Sequence, residues 1–347
     1  MIHVGIAGLG FMGMIHYLAY QRLRGARPIA ICEQDPVRRG GDWRTIKGNF
    51  GPPGEMMDLA GITPYADLDE MLADPRLDLI DVCLPTSLHV DVAVRALKAG
   101  KHVFCEKPIA LKPADANRMV DAARDADRLL MIGHVVPFFP EYRFAYNAIT
   151  QGKYGRLQGG YFKRIVADPQ WVPHFFDPAV IGGPMLDLHV HDAHFIRLVC
   201  GMPRAVQSAG RMRGAVVERF QTQFLFDDPG LIVTAASGVI AQQGRPFTAG
   251  FEIYLDQATL LFDFSVIGSE AVTSMPLTVL TKGGKVLRPK VGSGDPIDSF
   301  AAELGEMARA VRSGEPSPFL RGELARDALV LCQKQTQSVM TGRQVKV

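Results

Sequence analysis

Three short stretches hold residues whose types and spacing can do chemistry. In "GGPMLDLHVHDAHFIRLVCG", 182–201, Asp187 and His191 stand four apart, so on a helix they share a face, and His194 falls on that face too. A carboxylate beside an imidazole can act as orienter and general acid/base, because histidine titrates near neutrality. The same three side chains can also be read as metal ligands, or as polar residues of a capped, partly exposed helix. In "KHVFCEKPIALK", 101–112, a buried strand ends in Glu106, Lys107 and Pro108. Two opposite charges and a residue without an amide hydrogen are out of place in a core, but strand ends in a helix-covered sheet are where ligands bind.

The third stretch is Gly8, Gly10 and Gly13, a G-x-G-x-x-G directly after the first apolar run. The first glycine permits a tight turn, the second lets a pyrophosphate approach the backbone, and the third lets helix and strand pack closely. Glu33 follows 20 residues past Gly13, where an acid hydrogen-bonds the adenosine ribose hydroxyls. A carboxylate there repels a 2'-phosphate, which favours NAD over NADP. Arg38 is close enough in sequence to neutralise such a phosphate, so NADP stays open, and Arg39 reads equally as a solvated helix start.

These residues need elements to hold them. Up to about Gly133 the chain alternates apolar runs ("HVGIAGLG", "RPIAICE", "LDLIDVCLP", "HVFCEKP", "LLMIGH") with stretches of helical periodicity. That predicts a doubly wound parallel sheet covered on both faces. Beyond it, "LQGGYFKRIV", "AVVERFQTQFLF", "LIVTAASGVI" and "FTAGFEIYLDQATLLFDF" are strands in series, the pattern of a largely antiparallel sheet in an α+β domain. The expected division is a Rossmann domain over 1–134 and a substrate-binding and oligomerisation domain over 135–347. The last 50 residues read as two helices joined by a Pro/Gly turn. The segment 40–65, with six glycines and three prolines, is too long for an ordinary connection and reads as an insertion near the adenosine pocket or a surface loop with one short helix.

Composition bounds the rest. A formal charge of +2 with 47% hydrophobic residues gives no basic field for nucleic acid. No apolar run is long enough for a bilayer and the start lacks a signal-peptide pattern, so a cytoplasmic protein without membrane contact is expected. Five scattered cysteines read as reduced core residues.

Taken in order, "GLGFMG", "CLPTSLHVDVAVRALKAGKHVFCEKPIA" and "GGPMLDLHVHD" resemble the glucose-fructose oxidoreductase and inositol dehydrogenase (Gfo/Idh/MocA) family over nearly the whole chain. The resemblance implies that Lys107 lies beside the nicotinamide, with Asp187 and His191 facing it from the second domain. It also implies that Phe11, Met12, Pro85, Thr86, His89 and Glu106 belong to the cofactor site, and that the protein is a homodimer or homotetramer. The implied reaction is hydride transfer between a secondary alcohol of a sugar, sugar derivative or cyclitol and NAD(P), without a metal. A non-catalytic dinucleotide sensor and a keto- or aldehyde-sugar reductase with a tightly held cofactor are the competing readings.

Two stretches depart from the family pattern. "HVVPFFPEY", 134–142, lacks an arginine common there, leaving His134 as a pocket residue or a satisfied strand-end histidine, and "HDAH" puts His194 where an acid is frequent. Lys163, Trp171 and His174 are further substrate candidates, the last two as a mobile lid or as part of a subunit interface.

Overall fold

The structure, a computed structural model, describes residues 1–292 and 294–347. The chain forms two compact units, Met1–Phe139 with Ser293–Arg326, and Pro140–Gly292 with Asp327–Val347. A single boundary near 134 therefore misses a return of the chain, because the first unit recruits a late helix as well as the early residues.

The first unit alternates β1 (Ile2–Ala7), α1 (Phe11–Tyr20), β2 (Ala26–Cys32), α2 (Pro36–Arg39), β3 (Thr63–Tyr65), α3 (Leu68–Leu72), β4 (Leu79–Val82), α4 (Thr86–Lys98), β5 (His102–Glu106), α5 (Pro113–Ala126) and β6 (Leu130–Gly133). The strands lie in the order β3-β2-β1-β4-β5-β6, and every pairing is parallel. Val4, Ile6, Leu79, Ile80, Val82, Val103 and Phe104 are fully buried, as a parallel sheet covered on both faces requires. Strand order reverses between β1 and β4, which opens a crevice at the carboxyl ends of these strands.

The second unit begins with α6 (Pro140–Thr150) and β7 (Leu157–Ala167), followed by α7 (Val190–Cys200). Then come β8 (Ala205–Arg213), β9 (Val216–Leu225), β10 (Ile232–Ile240), β11 (Phe247–Leu255), β12 (Ala258–Ile267), β13 (Glu270–Thr281) and β14 (Val286–Leu287). The chain closes with α8 (Pro296–Ser313), α9 (Gly322–Thr341) and β15 (Val345–Lys346). Nine strands form one sheet in the order β14-β13-β12-β11-β7-β10-β9-β8-β15, antiparallel except for β7 against β10. Within the first unit α8 packs along α1, and Arg22 pairs with Asp295 and Asp298 at its start.

The segment 40–65 contains no helix and does not stand off as a surface loop. Trp43 is fully buried, edge-on to Tyr17 and with its indole N–H donated to the Arg38 carbonyl. Phe50 meets Phe11 edge-on and stacks on Phe300, so the segment is packed across the start of α1. Gly48 is explained by this approach, since a Cβ there would lie 1.8 Å from the Phe11 ring. All five cysteines are free and four are buried. Among the described residues, no helix is long and apolar enough to cross a membrane.

Candidate active site

The glycine turn closes β1 onto α1, and its three glycines differ in what constrains them. Gly8 has φ +95°, and a Cβ there would meet the Cys83 carbonyl at 2.7 Å. Gly13 passes so close to the turn that a Cβ would lie 2.0 Å from the Gly8 oxygen. Gly10, the N-cap of α1, has ordinary extended backbone at φ −80° and nothing within 4 Å of a Cβ. Among the described residues, no contact requires glycine at position 10. The open space at this helix N-terminus is of the kind that a phosphate group can enter, and a side chain at position 10 would take it up.

Glu33, just past β2, ties this turn to its neighbour. One carboxylate oxygen accepts the Leu9 N–H at 2.8 Å and the other the Asp35 N–H at 3.0 Å. A carboxylate offers about four acceptor sites, so ribose hydroxyls can still be bound. Arg38 lies 3.6 Å from Asp35 and is partly exposed, whereas Arg39 donates to the carbonyls of Glu33 and Gln34. Of the two arginines, Arg39 is thus committed to the backbone, while Arg38 has a partly exposed side chain beside Asp35.

Pro85 caps α4, which begins at Thr86, beyond the carboxyl end of β4. His89, one turn into that helix, is 1% exposed. Its Nδ1 meets the Pro108 carbonyl at 2.9 Å and its Nε2 the Leu84 carbonyl at 2.8 Å. Burial lowers its pKa, against the two carbonyls, which favour the protonated ring. The ring thus lies between the start of α4 and the turn after Lys107, within hydrogen-bond distance of a carbonyl at each nitrogen.

That turn ends β5. Glu106 is buried, and Lys107, partly exposed, precedes a cis peptide to Pro108. The Lys107 main-chain N–H donates to one Glu106 oxygen at 3.1 Å, while the other oxygen lies 3.0 Å from Nε2 of His16. His16 and its second partner, Asp81, were not anticipated from sequence. The available signals were a histidine three residues past Gly13 and an acid inside the buried run "LIDV". His134, after β6, is 1% exposed, consistent with a strand-end histidine held in the interior.

In the second unit, the stretch carrying Asp187 and His191 is not one regular α-helix. Met185–His189 forms a π-helical turn that leads into α7. Such wide turns use i→i+5 hydrogen bonds and recur at functional sites. Asp187 and His191 are both partly exposed, whereas His194, one turn further along α7 from His191, is fully buried and does not share their environment. His189 is also buried, edge-on to Phe220, and burial pushes its imidazole down to about 4, which keeps it neutral. Asp192 is buried against Arg164 of β7, with two hydrogen bonds of 2.9 and 3.0 Å.

Of the other candidates, Lys163 pairs with Asp263 across the sheet, and Ser274 donates to the same carboxylate at 3.0 Å. Trp171 is 61% exposed, and His174, also exposed, adopts left-handed backbone at φ 59°. Both project from a turn-rich segment anchored by buried Phe175 and by Arg213, which covers the Phe176 ring at 3.7 Å and pairs with Asp168.

Comparison with known proteins agrees with this geometry. Residues 2–134 match the GFO/IDH/MocA oxidoreductase family, NAD-binding Rossmann fold, and residues 142–261 match the GFO/IDH/MocA C-terminal domain. The chain belongs to this family. It is 27% identical to a myo-inositol 2-dehydrogenase of Thermotoga maritima, covering 100% of this chain and 98% of that one. It is 30% identical to a 1,5-anhydro-D-fructose reductase of Ensifer adhaerens over 72% of this chain and 74% of the relative. Among solved structures, a probable dehydrogenase from Thermotoga maritima superposes with a TM-score of 0.80 at 23% identity, over 99% and 98% of the two chains. The chain is therefore an oxidoreductase with an NAD-binding domain, and the open N-cap at Gly10 fits the pyrophosphate of that cofactor.

Gly10 and Gly13 separate binding from folding. Gly10→Ala meets no clash in the fold and is expected to lower the unfolding free energy by no more than about 1 kcal/mol, the usual cost of alanine at an N-cap. NAD affinity, measured by titration, is expected to fall at least about tenfold, a loss of about 1.4 kcal/mol. Unchanged affinity would remove the pyrophosphate from this position.

Proposed function

We propose that this oxidoreductase transfers hydride between a secondary alcohol of a sugar, sugar derivative or cyclitol and NAD. The observation that carries the reading is the end of β5, where Lys107 follows a buried, doubly held Glu106 at the carboxyl edge of a dinucleotide-binding sheet. The relatives named above, one acting on an inositol and one on an anhydro sugar, support the substrate class.

NAD, when bound, supplies the acceptor for the carbon hydride. The Lys107 ammonium hydrogen-bonds the reacting hydroxyl oxygen and steadies the charge that develops there. The hydroxyl proton passes to the His191 imidazole, and Asp187 orients that ring or holds a neighbouring hydroxyl. Gly8, Gly10, Phe11, Met12 and Gly13 receive the pyrophosphate, and Glu33 takes the adenosine ribose. The carboxylate of Glu33 supports NAD over NADP, with Arg38 as the residue that would accommodate a 2'-phosphate. His134, Lys163, Trp171, His174 and His194 were substrate candidates; of these, the exposed Trp171 and His174 best suit contact with a sugar.

Exposed Ile267, Val272, Met275 and Val286 along β12–β14 support a homodimer or homotetramer that pairs through this sheet. A cytoplasmic location fits the free cysteines.

The purified protein, mixed with NAD or NADP and a panel of sugars, cyclitols and their oxidised forms, should change the absorbance of reduced nicotinamide with at least one polyol. Tight NAD binding without turnover across the panel would sink the catalytic reading in favour of a sensor.

A further inference from the structure

Beneath the glycine turn lies a buried polar cluster that the reaction does not touch. His16 projects from α1, Asp81 from the middle of β4, and Glu106 from the end of β5, and all three are at most 5% exposed. Nδ1 of His16 lies 3.0 Å from Asp81, and Nε2 lies 3.0 Å from Glu106. An ionised carboxylate can only accept, so a ring bearing both N–H groups is the state that satisfies both neighbours. Two buried carboxylates at opposite ends of one imidazole also need its positive charge.

The surroundings agree. The Tyr20 hydroxyl donates to Asp81 at 3.0 Å, the Cys83 thiol lies 3.2 Å from Nδ1, and Phe104 and Phe300 wall the ring. From α8, fully buried Glu303 faces the same cluster, and among the described residues neither of its carboxyl oxygens has a hydrogen-bond partner. Burial, and then the nearby Glu106, push the Glu303 carboxyl well above its ordinary range. For His16 burial acts downward, but the Asp81 charge and Cys83 outweigh it and raise the imidazole well above the usual histidine value.

We propose that His16 is a positioning residue for the reaction: clamped between Asp81 and Glu106, it holds the carboxylate that carries the main-chain N–H of Lys107. The two Glu106 oxygens are divided between these tasks, one on His16 and one on Lys107. Gly133 of β6 leaves them room, since a Cβ there would lie 2.9 Å from the oxygen bound to His16. Without His16, Glu106 is free to turn, and the strand end loses its fixed acceptor. The proposal rests on Lys107 serving the reacting oxygen, so the test includes Lys107→Ala as its reference.

His16→Leu and His16→Gln are compared with the wild type for kcat, KM, NAD affinity and thermal unfolding. The leucine variant should lose about 10- to 100-fold in kcat, with KM and NAD affinity within about threefold, because a small misplacement of a reacting group has that cost. The glutamine variant, whose amide N–H can still reach one carboxylate, should recover part of the loss, and it carries the test if the leucine variant does not fold. The wild-type kcat should also fall at high pH, where the ring loses one of its two N–H groups, and this limb should be absent from both variants. Because the folded pKa is raised, the ring's contribution to stability is complete below about 6.5 and disappears as pH rises through the folded value. Full kcat per folded molecule in both variants, with only a lower unfolding temperature, would make His16 a fold residue and overturn the proposal. If Lys107→Ala keeps turnover, the reading of Lys107 fails and this proposal with it. If Lys107→Ala loses turnover and the His16 variants do not, only the positioning role falls.

Discussion

Lys107→Ala is expected to lower kcat by about two to four orders of magnitude, the usual contribution of a positioned group acting on a proton or developing charge. NAD affinity should stay close to that of the wild type, because the residues that receive the pyrophosphate and ribose lie on other turns of the first unit. The fold should also survive: the Lys107 side chain is partly exposed, and the strand end is fixed through its main-chain N–H, which alanine retains. Lys107→Arg should not restore activity, since a planar guanidinium cannot replace a compact ammonium at a single oxygen. His191→Ala should fall by a similar factor and lose the limb of the kcat/KM profile that an imidazole contributes. Near-normal turnover on the true substrate in either variant would remove that residue from the chemistry.

The residues bearing on this result were legible to different degrees. The glycine turn was readable because its three glycines fall within six residues directly after an apolar strand, and the structure constrains two of them, Gly8 through its positive φ and Gly13 through its approach to Gly8. Strand and helix alternation was readable for the same kind of reason: buried parallel strands are apolar on both faces. The return of α8 to the first unit was not readable, because an amphipathic helix shows that it has a partner but not which unit provides it. The π-helical turn at 185–189 escaped because one extra residue in a turn barely alters hydrophobic spacing, yet it places Asp187 in a wider turn than the α-helix that carries His191 and His194. For His89 the sequence could suggest a place near the cofactor but not that its ring nitrogens meet the carbonyls of Leu84 and Pro108. Asp81 and Glu303 are acids inside apolar patterns, and sequence could mark them as anomalous without revealing that they face the same imidazole.

Asp192→Ala is expected to destabilise the second unit by about 3 to 5 kcal/mol, the cost of leaving a buried charge without its partner. Arg164 and Asp192 are 5% and 1% exposed, so neither can turn to water when the other is removed. Burial acts to lower the Arg164 pKa, and the Asp192 charge more than reverses it, so the guanidinium stays charged inside the unit. The Tyr142 hydroxyl, at 3.4 Å, is too weak a neighbour to replace the carboxylate. Denaturant unfolding of Asp192→Ala beside Arg164→Met/Asp192→Leu separates charge from shape. The double variant should recover most of the loss, because apolar side chains of similar volume need no counter-charge. A loss below about 1 kcal/mol in Asp192→Ala would show that water reaches the guanidinium and that the pair contributes no more than a surface ion pair. The effect also bears on catalysis, because Asp192 directly follows His191 and its bonds to β7 fix the first turn of α7. Folded Asp192→Ala protein should therefore lose kcat while keeping NAD affinity, since the cofactor residues belong to the other unit. The double variant tests whether packing alone can hold that turn, and recovered stability without recovered kcat would mean that the directional hydrogen bonds, not the filled volume, set the aim of His191.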